Sequence, residues 1–109
     1  MIELSKKDKK VARELIDKGL QIEFANGLAA AAKIIEKWKA EKDHSASYLS
    51  LYKHVTDFDK HIARRYDCMT GSKYLDIIID QMNDGILTFG DLKDFSVEVQ
   101  AFIIKIQNL

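Results

Sequence analysis

From Ser5 onward, apolar side chains recur at the three- and four-residue spacing of an α-helix along almost the whole chain. Val11, Ala12, Leu15 and Ile16 make the first group. Ser5 opens it with Asp8 three residues later, an acidic variant of the capping box, and Gly19 is placed to end it in a left-handed cap. Phe24, Leu28, Ala31, Ile35 and Trp38 follow at a 4-3-4-3 spacing, which keeps them on one stripe. Ala25, Ala29 and Ala32 lie beside that stripe and are small enough to let another helix approach closely. Gly27, inside the same segment, costs about 1 kcal/mol relative to alanine.

Asp43 to Ser47 is polar and offers several N-caps, and Tyr48, Leu51, Val55, Phe58, Ile62 and Tyr66 form the next stripe. Thr70, Gly71 and Ser72 interrupt the pattern. Ser72 can cap a shorter segment carrying Tyr74, Leu75, Ile77, Ile78, Ile79 and Met82, which is apolar over much of its circumference and therefore central. From Thr88, the residues Leu92, Phe95, Val99, Phe102, Ile103 and Ile106 keep the helical period. The pattern predicts an all-α fold, a compact bundle of about five helices over approximately residues 5–18, 21–42, 46–67, 73–83 and 88–107, in a single helical domain spanning 1–109.

Composition sharpens this picture. There is no proline and there are five glycines, which suits long helices joined by short turns. Hydrophobic residues make up 47% and charged residues 31% of the 109 positions, a globular balance. Seventeen basic side chains offset seventeen acidic ones. A net charge of zero gives no long-range pull toward nucleic acid or an anionic membrane, and it lowers the repulsion between copies. Cys68 is the single cysteine, so no intrachain disulfide can form, and a reducing, cytoplasmic setting is expected. The opening MIELSKKDKK lacks an apolar core and does not read as a signal peptide, and every apolar run is far shorter than a bilayer requires.

Asp80 to Asp91, DQMNDGILTFGD, is the stretch that can be laid over a cofactor-binding template. It resembles the calcium loop of an EF-hand: acids fall first, fifth and twelfth (Asp80, Asp84, Asp91), glycine sixth (Gly85) and an aliphatic eighth (Leu87). The third position is Met82, whose thioether is a poor match for a hard cation, and Asp91 is one methylene shorter than the usual glutamate. The same residues read as a helix–turn–helix connection in which Asp84-Gly85 closes one helix and Thr88, with Asp91, caps the next.

Other candidate groups are sparse. His54, Asp57 and His61 share one helix, with the two histidines about 10 Å apart along the axis, too far for one metal ion. They read as a polar flank of the third stripe, with a pH-sensitive surface or a partner-binding edge as the functional alternative. Glu41 and His44 form one E-x-x-H, where a di-iron bundle uses two such motifs and further glutamates. Cys68 lies near a helix end after Arg64 and Arg65 and reads as an idle thiol. Lys6, Lys7, Lys9 and Lys10 make a small basic cluster diluted by Glu3, Asp8 and Glu14, which reads as a solvated face. Tyr52, at the edge of its stripe, is the aromatic best placed for a protein contact. A glycine-rich phosphate loop and a nucleophile elbow are both missing from the sequence. These features predict no catalytic residues and no cofactor. They favour a protein–protein interaction or regulatory module, with self-association as a homodimer, and the alternative is a weak calcium-binding regulator through residues 80–91.

Overall fold

The computed structural model describes residues 2–67 and 69–108. Among them the regular structure is all helical: α1 Lys6–Glu41, α2 His44–Tyr66, α3 Tyr74–Asn83 and α4 Val97–Gln107, with single 3-10 turns at Gly71–Lys73 and Phe89–Leu92. The all-α expectation holds, but the α-helices number four rather than five.

The count differs at Gly19, and the last helix also starts later than expected. Gly19 does not end a helix; α1 runs through it for 36 residues. The glycine serves a close approach instead. A Cβ at position 19 would lie 2.1 Å from Nε2 and 2.7 Å from Cδ of Gln81, so only a bare α-carbon leaves room for that side chain. At the other end, Thr88 and Asp91 do form the expected capping box, but it closes the short 3-10 turn rather than starting a long helix. The final helix begins eight residues later, where the Ser96 hydroxyl accepts from the Val99 N–H.

The chain divides into two compact units, Ile22–Asp67 and the chain on either side of it, with α1 contributing to both. The second of these has a conventional core. Ala12 and Ile16 from α1, Leu75, Ile77 and Ile78 from α3, Leu87, Leu92 and Phe95 from the connection, and Val99 and Ile103 from α4 are all buried. Two polar groups are built into it. Gln81 is fully buried and donates to the Ile16 carbonyl at 3.1 Å, while its own carbonyl accepts from Ile86 and closes α3. Asp8, also buried, accepts from the Ser96 N–H at 2.9 Å and from the Ser96 hydroxyl at 2.8 Å. The acid expected to cap α1 thus fixes the start of α4, a placement favoured by the positive end of that helix. Ser5 still caps α1, accepting from the Asp8 N–H at 3.1 Å.

Ile22–Asp67 is an αα-hairpin made of the second part of α1 and all of α2. Lys42, with a φ of 57°, takes the left-handed conformation that stops α1, and Asp43 caps α2 by accepting from the Ala46 N–H at 3.2 Å. Trp38 fastens the turn by donating its indole N–H to Nδ1 of His44 at 2.8 Å. Along the seam, Gly27 lies against Phe58, whose ring atoms would stand 2.7–2.9 Å from an added Cβ. Phe24 meets the same ring edge-on with centroids 6.2 Å apart.

Candidate interaction surface

A hairpin of two helices has a seam but no third layer. Its members with essentially buried side chains are Glu23 and Tyr66, both near the open end. The helical stripe Phe24, Leu28, Ala31, Ile35 and Trp38 sits one step around α1 from the seam residues Glu23, Gly27 and Ile34. On α2 the residues Tyr48, Tyr52 and Val55 stand in the same relation to Leu51 and Phe58. Leu28 is 72% exposed, Tyr48 67% and Tyr52 63%, and Phe24, Ile35, Trp38 and Val55 are exposed as well.

Apart from Tyr52, which borders the face one turn on from Tyr48, these side chains share one face, because two end-to-end grooves are lined from both helices. Toward the turn, Ile34, Ile35 and Trp38 face Tyr48 and Leu51 across a groove of about 560 Å³. Toward the open end, Phe24, Leu28 and Ala31 face Val55 and Phe58 across one of about 250 Å³. The walls are apolar apart from His44 and Ser47 at the turn and His54 between the helices. An apolar strip of this kind, with tyrosine and tryptophan in it, exceeds the singly scattered apolar residues of ordinary surface.

The polar groups of the hairpin lie along the seam and at its open end. The Glu23 carboxylate accepts from Nη1 of Arg65 at 2.7 Å and lies 2.8 Å from Nε2 of His61, and it also accepts from the Tyr66 hydroxyl. Arg65 is itself largely buried, so the pair forms a desolvated ion pair with its geometry set by the phenol and imidazole. His54 lies 2.9 Å by Nε2 from the Gly27 carbonyl and stacks on Phe58. Asp57 is exposed and accepts from Lys53 at 2.6 Å, a contact that, with the lysine's charge, holds its carboxyl below the ordinary value. The structure therefore does not gather His54, Asp57 and His61: the two histidines reach α1 at separate points, and the aspartate pairs along its own helix.

The 80–91 stretch is the connection between α3 and α4. Gly85, with a φ of 73°, turns the chain after α3. Asp91 accepts from the Thr88 N–H at 2.8 Å and from Nζ of Lys18 at 2.5 Å. The Lys18 contact first, then Thr88, hold its carboxyl below the ordinary value. Lys18 thus brings its own positive charge to the acid at the twelfth position of the loop. Asp80 and Asp84 are exposed. Among the described residues, no group of three or more histidine, cysteine, aspartate or glutamate side chains is placed to hold a metal ion. His44 of the E-x-x-H is taken by Trp38, and Glu41 is exposed. Lys6, Lys7, Lys9 and Lys10 are exposed. Cys68 lies outside the described residues. No helix among the described residues is long and apolar enough to cross a membrane.

Sequence reasoning passed over Glu23, Arg65 and Tyr66 as a cluster. The signal was present. Glu23 stands four residues before Gly27 on the inner edge of the α1 stripe, where a carboxylate needs a cation, and Arg65 follows His61 by four on the helix that would pair with it. No protein-family model, no curated protein and no solved structure matches the chain.

Proposed function

We propose that this protein is a protein–protein interaction module that works through the apolar face of the Ile22–Asp67 hairpin. The observation that carries the reading is the exposure of Phe24, Leu28, Ile35, Trp38, Tyr48, Tyr52 and Val55 on one side of two paired helices. A stable unit with a complete core has no use for such a strip, and leaving it in water costs free energy that docking recovers. Tyrosine and tryptophan add area at small entropic cost, which suits them to anchor a contact. The chemistry-bearing side chains support the same reading, since Glu23, Arg65, His61 and His54 are engaged in holding the two helices together. With a single cysteine and a balanced charge, we assign the module to the reducing environment of the cytoplasm.

The test is photo-crosslinking in the native cell. A photoreactive residue at Tyr52 captures a macromolecular partner, and one at Lys33, exposed on the opposite side of α1, captures far less. Equal capture from both positions, or none from Tyr52, rejects the face as the working surface.

A further inference from the structure

We propose that the partner seated on this face is a second copy of the same chain, the two hairpins packing face to face as a four-helix bundle with their turns at opposite ends. The inference rests on the interaction-module reading and names its occupant.

Area is the first argument. Seven large side chains, each roughly half exposed, present about 100 Å² apiece, hence roughly 700 Å² a side. That falls close to the ~800 Å² per partner of a standard stable interface. A two-helix layer is also half of a four-helix bundle, and an identical layer supplies the missing half with each stripe facing another stripe.

Charge is the second. The hairpin carries seven acidic and eight basic side chains, so two copies meet without a net repulsion. The stripe residues themselves are uncharged, and the flanking Lys53–Asp57 and Glu36–Lys39 pairs already satisfy one another. A block of one sign would favour a partner of the other sign and oppose a second copy; the even mixture leaves self-recognition unopposed.

Shape is the third. The groove toward the turn is the more capacious of the two, about 560 Å³ against 250 Å³ toward the open end. Placing the turns at opposite ends puts the protruding Leu28 of one copy, with Phe24 beside it, over the larger groove of the other, at Ile35 and Trp38. A two-fold axis then passes near Ala31, midway along the α1 stripe, where a small side chain allows the two α1 helices their closest approach.

Light scattering on the purified full chain tests this at ~100 µM, well above the Kd of even a weak micromolar dimer. The expected result is twice the chain mass for the wild type and a single chain mass for Leu28→Glu and for Val55→Lys. Both positions are exposed, so neither substitution disturbs the packing within the hairpin. A second measurement fixes the arrangement: in a Cys68→Ser background, Ala31→Cys should form a disulfide-linked dimer on mild oxidation, and Lys33→Cys should not. A monomeric wild type at that concentration overturns the second-copy proposal. If the Tyr52 photo-crosslink in the cell then traps a different protein, the interaction-module reading stands without it; if it traps none, both fall. A dimer whose mass survives Leu28→Glu and Val55→Lys overturns the face as its interface.

Discussion

Asp8 shows how much one side chain decides. Burial pushes its carboxyl upward, but the Ser96 N–H, the Ser96 and Ser5 hydroxyls and the charge of Lys7 outweigh burial and hold it below the ordinary value. A carboxyl lowered by folding stabilises the native state above its unfolded value, near pH 3.9, and that contribution is lost as pH falls through the folded value. Asp91, lowered by Lys18 and Thr88, acts in the same direction. Replacing Asp8 by alanine leaves the Ser96 N–H without its buried acceptor and should cost about 1–3 kcal/mol at neutral pH. The loss should shrink below about pH 4, where the wild type loses the same interaction. Thermal melts of the two proteins across that range check both the size and the sign. Gly19 gives an opposite lesson about propensity. Alanine is worth about 1 kcal/mol over glycine in an exposed helix interior. At position 19 the added methyl would meet the Gln81 amide, and that side chain is fixed in the core. Gly19→Ala should therefore destabilise by roughly 1–3 kcal/mol, and a melting temperature equal to or above the wild type would show that Gln81 moves aside.

At the level of the elements, the hairpin depends on a charge that the sequence pattern hides. Glu23 brings a carboxylate to the seam, where Arg65, His61 and Tyr66 converge on it. Removing one member of a desolvated pair costs more than the pair contributes, because the other charge stays behind. Glu23→Ala should lower stability by roughly 3 kcal/mol. The loss should appear in the hairpin amides by hydrogen exchange and leave those of Ala12, Ile78 and Val99 near their wild-type protection. This cluster also marks where the sequence stops being legible. The stripes were readable, because burial imposes a 3.6-residue period on apolar residues whatever their partners. α2, α3, the body of α4 and the Thr88–Asp91 and Ser5 caps follow from that period and from short-range capping rules. Gly19 misled because glycine has two uses, the left-handed cap and the close approach, and only the position of Gln81, 62 residues along the chain, tells them apart. The start of α4 was hidden for the same reason: Ser96 prevails over Thr88 as the helix start, reinforced by Asp8, which lies 88 residues away. Polar contacts across such separations leave no period in the sequence.

For the molecule as a whole, the two units differ in how they obtain their stability. The unit containing α3 and α4 buries ten apolar side chains of its own. The hairpin buries few along helices of roughly 30 Å each, and most helical stability in proteins comes from tertiary packing of an apolar face. If its stripe is covered by a second copy, the hairpin's stability contains a concentration term, because a partner that binds only the folded form adds RT ln(1 + [L]/Kd). The core of the other unit has no such term. Amide exchange measured at two protein concentrations a hundredfold apart should then separate them. Amides around Leu28, Ala31, Leu51 and Val55 should gain protection on concentration, by up to about 1.4 kcal/mol for a hundredfold change once association dominates, because the free chain then rises only as the square root of the total. Those around Ile16, Ile78 and Ile103 should keep the same rates at both concentrations. Equal gains in both units would mean that they open together as one cooperative body. No gain in either would mean that the hairpin holds its helices without a second copy, and that the exposed stripe serves a different partner.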